Sequence, residues 1–151
     1  MKTSDQGIRA LMKSEELRTE AYQDSAGIWT IGYGTTRING VKVKKGDRIT
    51  PERAESELRK FVSGLEAGLT TALGKSPTKQ NEFDAFVNIA YNIGLPGALD
   101  STFLKRHIEG DKKGCAEAIT WWNKSGGKTV QGLVNRRARE VQMYLNGIYV
   151  L

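Results

Sequence analysis

The hydrophobic pattern of this 151-residue chain switches period once and then switches back. From Ile28 to Thr36 the residues are β-branched and aromatic. Trp29, Ile31, Tyr33 and Thr35 alternate onto one face, the two-residue repeat of a strand. Asn39-Gly40 is a hairpin turn signal, since both residue types tolerate positive φ, and Val41-Lys42-Val43 reads as the return strand. The opposite face carries Ile28, Thr30, Gly32, Gly34 and Thr36. Two glycines beside Thr30 leave that face open to another molecule, or serve only to let the strand twist.

Elsewhere the repeat is helical. Thr3 and Gln6 have capping-box spacing ahead of Ile8, Leu11 and Met12. The next position on that apolar stripe is Glu15, and a core-facing carboxylate costs energy unless it is paired or protonated. Its neighbour Glu16 points elsewhere. Thr50-Pro51-Glu52 is a helix start, and Leu58, Phe61, Val62, Leu65 and Leu69 continue its stripe to Gly74. A helix of that length spans about 36 Å, enough to join two lobes, with Gly64 and Gly68 marking a kink or break.

From Thr78 onward the chain reads as helix. Phe83, Phe86, Val87, Ala90 and Tyr91 form one stripe ending near Gly94 and Pro96. Shorter helices are expected at about 101–109 and 112–123, and a longer one at about 133–146. They place Phe103, Leu104, Ile119, Trp122, Val134, Val141, Tyr144 and Leu145 in a helical core. The expectation is a single domain, 1–151, α+β and mainly α. A small hairpin-bearing lobe (about 14–60) and a connecting helix (about 51–74) lead to a helical lobe (about 75–151), on which the N-terminal helix packs. A cleft between the lobes is a place for a ligand.

Composition works by exclusion. Hydrophobic residues at 38% with 26% charged describe an ordinary soluble globular chain. One cysteine, Cys115, rules out an internal disulfide and a multi-thiolate zinc site, and one histidine, His107, argues against a His-based metal centre. Cys115 reads as a small packed or partly exposed thiol and His107 as a surface residue. No apolar run approaches a membrane span, and MKTSDQGIRA lacks a signal-peptide stretch. The net charge of +6 is uneven: nine Lys/Arg face six Asp/Glu over 1–50, five face seven over 51–100, and nine face four over 101–151. Basic ends favour an anionic polymer, nucleic acid or bacterial wall.

Three residues can be read as a catalytic set. Glu15 sits at the edge of an apolar helix face. Asp24 lies in the polar turn Gln23-Asp24-Ser25-Ala26-Gly27, and Thr30 on the glycine-bearing strand face could share a water with it. Glycosidic hydrolysis needs two carboxyl groups in different settings, one holding its proton near neutral pH and one staying charged. A helix-end ion pair between Glu15 and a C-terminal arginine is the structural alternative, and it is compatible with catalysis.

Glu15, eight intervening residues, Asp24, five more and Thr30 resemble the catalytic pattern of the phage-type lysozymes (endolysins). The likeness extends through Tyr22-Gln23-Asp24 to Trp29-Thr30-Ile31-Gly32-Tyr33-Gly34, Phe83–Gly94, Gly126-Gly127-Lys128 and Gly132-Leu133-Val134-Asn135-Arg136-Arg137. The resemblance implies a lysozyme-like fold with its cleft between the lobes, and hydrolysis of the β-1,4 bond between N-acetylmuramic acid and N-acetylglucosamine in peptidoglycan. It implies Glu15 as general acid, Asp24 as the carboxylate assisting the attacking water and Thr30 as its partner. Tyr91 falls at an aromatic cleft position, and Arg136, or Arg137 after a shift of one, where an arginine approaches the glutamate. The implied enzyme is monomeric, uses no cofactor or metal, and inverts. Lacking an export or anchor segment, it would wait in the host cytoplasm until a separate membrane-permeabilising protein admits it to the periplasm and cell wall.

Two residues depart from the pattern: Glu16 stands where many members place glycine, and Thr35 where some carry histidine. A lytic transglycosylase is the nearest rival, and it would need no carboxylate at Asp24. A basic binding module for nucleic acid or wall is the other, with Trp29, Trp121 and Trp122 to stack on, but no nucleic-acid motif is present. Gly32-Tyr33-Gly34 lacks the following helix of a dinucleotide fingerprint.

Overall fold

The computed structural model of the chain describes residues 1–150. Its centre is helix α3 (Gln80–Ile93), in which every residue from Glu82 to Ala90 is buried. Against it pack α1 (Asp5–Glu15), the long α2 (Pro51–Leu73), the short α4 (Leu95–Leu99) and α7 (Gln131–Asn146). Two further helices, α5 (Thr102–Ile108) and α6 (Lys112–Ile119), pack on each other, and α6 also reaches α7. The core joins Ile8 and Leu11 of α1 to Leu58, Leu65 and Leu69 of α2, and to Phe83 and Phe86 of α3. Among the described residues no helix is long and apolar enough to cross a membrane.

The strands form three antiparallel hairpins: β1 (Arg18–Gln23) with β2 (Trp29–Gly32), β3 (Arg37–Ile38) with β4 (Val41–Lys42), and β5 (Lys124–Ser125) with β6 (Lys128–Thr129). The expected turn at Asn39-Gly40 joins β3 to β4, both residues having positive φ. The single strand expected over 28–36 is instead cut at Gly32. Gly32 and Gly34 both have positive φ, so the chain turns back and Ile31 and Thr35 exchange two backbone bonds of 2.8 Å. Gly32 is also pressed against α2, where a Cβ would sit 3.2 Å from that of Ala54, whereas Gly34 faces open space. Strand β1 gives no hydrophobic alternation because it is mostly exposed and bulged: Arg18 opposes Gly32 and Tyr22 opposes Thr30.

Helix α2 runs unbroken from Pro51 to Leu73, capped by the Thr50 hydroxyl, so it is not broken at Gly64 or Gly68. At Gly68 the missing side chain serves packing: a Cβ there would lie 2.6 Å from Leu95 Cδ2. Phe61 turns outward from the stripe. The expected core list for the last helices also changes. Trp122 and Leu145 are exposed and Val134 and Val141 half-buried, while Trp122 keeps one edge against Phe103. The buried face of α7 is carried by Arg136, Arg137, Glu140, Met143 and Tyr144. His107, expected at the surface, is 2% exposed. It lies edge-on to Phe86, with Nδ1 2.6 Å from the Tyr144 hydroxyl and Nε2 2.9 Å from that of Thr78. Burial lowers its pKa and pushes the buried Cys115 thiol up to about 11.

Asp84, buried in α3, gathers the two ends of the described chain. It accepts from the Ser4 amide (3.0 Å), the Ser4 hydroxyl (2.5 Å), Gln80 Nε2 (2.9 Å) and the Tyr149 hydroxyl (2.6 Å). Ser4 is also the N-cap of α1, so this acid sets where α1 begins.

Candidate active site

Glu15 is the last residue of α1, on the stripe that buries Ile8 and Leu11, and its side chain is 17% exposed. The chain leaves the helix through Glu16, whose amide donates to Met12 O at 3.1 Å and whose backbone has φ +53° and ψ 129°. This left-handed region favours glycine and costs other residues roughly 1–3 kcal/mol. Glu16→Gly should therefore raise stability by about 1 kcal/mol after glycine's extra unfolded-state entropy, a rise of roughly 3 °C in melting temperature. Thermal denaturation of the two proteins checks this.

The carboxylate of Glu15 pairs with Arg136 Nη1. The rest of that guanidinium is committed. Nε donates to Glu140 Oε2 at 3.2 Å, and Nη2 to both the carbonyl and the side-chain oxygen of Asn88, each at 3.1 Å. Arg137, the other candidate, turns away from Glu15: its Nη2 donates to Asn92 Oδ1 and its Nε lies 3.1 Å from Glu140 Oε1. The arginine that reaches Glu15 is thus Arg136. Burial raises the pKa of Glu140 against the pull of the Arg137 and Arg136 guanidiniums, and lowers that of Arg137. Asn88 and Glu140 were missed in the sequence. Glu140 did leave a signal, an acid three and four residues after two arginines on one helix.

Asp24 is exposed in the turn between β1 and β2, and its Oδ1 accepts from the amides of Ala26 and Ile28, both at 2.9 Å. Thr30, in β2, is 4% exposed and its hydroxyl donates to Ile28 O at 2.9 Å. The same carbonyl accepts from the Asp24 amide, also at 2.9 Å. One peptide group thus fixes Thr30 relative to Asp24, and the Thr30 oxygen has lone pairs left to accept a hydrogen bond.

Tyr91, on α3, donates its hydroxyl to Tyr33 O at 2.5 Å and meets Phe61 edge-on at 5.2 Å. Burial, then the nearby Glu15 charge, raises its pKa, so it stays protonated. It lines a cavity of about 350 Å³ with Gly34, Thr35, Thr36, Arg37, Glu57 and Phe61. This hollow lies between the β-hairpin segment and α2, and Gly34, whose missing side chain meets nothing, borders it. Among the described residues no group of three or more His, Cys, Asp or Glu is placed to hold a metal ion.

A family model described as phage lysozyme matches residues 12–140, a span containing Glu15, Asp24, Thr30, Tyr91 and the Arg136 cluster. The chain belongs to the phage lysozyme family. An endolysin of Acyrthosiphon pisum secondary endosymbiont phage 1 is 36% identical over 148 residues, covering 95% of this chain and 98% of its own. The solved structure of an endolysin from an Escherichia coli phage, FAHEc1, is 50% identical and superposes with a TM-score of 0.94 over 100% of this chain and 98% of that one. The muramidase domain of SpmX from Asticaccaulis excentricus, 32% identical, superposes at 0.85 over 96% of this lysozyme-family chain and 98% of its own.

Proposed function

We propose that this chain, a glycoside hydrolase of the phage lysozyme family, is an endolysin that hydrolyses the β-1,4 bond between N-acetylmuramic acid and N-acetylglucosamine in peptidoglycan, with Glu15, Asp24 and Thr30 as its catalytic set. The observation that carries the assignment is the contrast between the two carboxyl groups. Glu15 is largely enclosed at a helix end, while Asp24 is solvated and held by backbone amides. Such unlike settings separate an acid from a base.

In this reading Glu15 donates its proton to the glycosidic oxygen as the bond to the leaving sugar breaks. The Thr30 hydroxyl already donates to Ile28 O, so towards a water it acts as an acceptor. A water giving one hydrogen to Thr30 and one to Asp24 presents its lone pair to the anomeric carbon. Asp24 removes a proton as the new C–O bond forms, and attack by water on the face opposite the leaving group inverts the centre. Tyr91 and its cavity provide an aromatic wall for the sugar chain, and Arg136 holds Glu15 in place. The β-rich segment, about 14–60, acts as the small lobe over helices from about 75–151. The enzyme acts as a monomer and reaches the wall when a separate protein permeabilises the membrane.

Mass spectrometry of purified peptidoglycan after digestion tests the reaction. Hydrated, reducing muramic acid ends are expected. Anhydro ends would move the enzyme to the lytic transglycosylases and leave Asp24 without its role, and no released fragments would return the basic binding module.

A further inference from the structure

The acid of the proposed reaction must carry a proton, and Glu15 sits directly against the Arg136 guanidinium. The cluster behind Arg136 bears on this contact. Glu140 is 1% exposed and faces both arginines: Oε2 accepts from Arg136 Nε at 3.2 Å, and Oε1 lies 3.1 Å from Arg137 Nε as an ion pair without a hydrogen bond. We propose that Glu140 is a positioning residue of the reaction: it is the counter-ion that holds Arg136 from behind, and by offsetting that guanidinium it leaves Glu15 able to serve as the acid. The inference rests on the reading of Glu15 as the acid.

The surroundings leave few other groups to do this. From α7 itself the cluster is faced by Arg136, Arg137 and Arg139, all cationic. From α3 come the neutral Asn88 and Asn92, with Tyr91 near Glu15, and from α1 come Glu15, the uncharged Ala10 and Ser14, and the cationic Lys13, which borders an adjoining hollow with Ser14 and Arg139. Glu140 is therefore the second carboxyl group, after Glu15, in a group of three arginines. A merely structural ion pair would hold the buried face of α7 together without touching the proton balance at Glu15.

The test is the pH–rate profile on purified peptidoglycan at fixed ionic strength, with folding checked by circular dichroism. The alkaline limb marks where the acid loses its proton. Glu140→Gln, which removes one negative charge at constant shape, should move that limb to lower pH by about one unit. Arg137→Gln removes a positive charge from the same cluster and should move it to higher pH. Glu140→Asp, which keeps the charge, should return the limb towards its original place. KM should stay unchanged in all three, because none of these side chains belongs to the sugar-binding wall.

Opposite shifts in the two Gln variants support the proposal. Limbs that stay in place, or move the same way, overturn it. Should Glu140→Gln not fold, Arg137→Gln decides on its own: an upward shift supports the proposal and a fixed limb overturns it. Glu15→Gln separates the layers. If that variant keeps its turnover, the reading of Glu15 as acid fails. If it loses turnover while the limbs stay fixed, only the role of Glu140 fails.

Discussion

Glu15→Gln is expected to lower the initial rate on peptidoglycan by roughly 10³-fold, within the range that general acid catalysis supplies, while leaving the fold intact. The substitution keeps the side chain's length and an amide oxygen that can still accept from Arg136 Nη1. The tie between α1 and α7 therefore survives. What disappears is the transferable proton. Arg136 is held independently by Glu140 and by both oxygens of Asn88, so it keeps its position when Glu15 changes. The decisive measurement is the ratio of variant to wild-type rates beside the two melting curves. A rate loss with an unchanged melting temperature supports the acid role. A variant that retains most of its rate overturns it, and a variant that loses rate only in step with its melting temperature marks Glu15 as a structural ion-pair partner.

Asp24→Asn should cost between roughly 10² and 10⁴ in rate and separates charge from turn geometry. Oδ1 of Asp24 organises the β1–β2 turn through the amides of Ala26 and Ile28, and an asparagine oxygen can accept both bonds. The carbonyl of Ile28, which also fixes Thr30, then stays where it is. Only the negative charge that takes up the water's proton is gone. Asp24→Ala removes the turn acceptor as well and should add a lower melting temperature to the same loss of rate. A hydrolysis rate unaffected by Asn would show that the turn, not the charge, is what Asp24 contributes.

The residues explain why some of this was legible beforehand and some was not. Helix α2 could be read because each signal agreed: a threonine cap, proline at the first turn, an apolar stripe and a terminal glycine at positive φ. Glu15 stood out because a carboxylate continued the stripe of Ile8 and Leu11, and Asp24 because it sat in a polar turn. Strand β1 was invisible, since an exposed, bulged strand has no apolar side to alternate. Helix α7 misled for the opposite reason. Its inward face is ionic, so a pattern that equates burial with hydrophobicity pointed at Val134, Val141 and Leu145 and passed over Arg136, Arg137 and Glu140. His107 was misplaced in the same way: its buried position is made tolerable by two hydroxyl partners that lie 29 and 37 residues away in sequence.

The acid that gathers the two ends of the described residues has a dynamic consequence. Ser4 and Tyr149 share Asp84 as acceptor, although they lie 145 positions apart in the sequence. Neither end can fray without stripping a donor from a buried carboxylate, and the loss is felt by whatever remains bound to it. The first turn of α1 and the segment after α7 should therefore open together, which amide hydrogen exchange would read as matched protection at the two ends. Loosening at residue 149 is then expected to loosen the start of the helix that ends in Glu15.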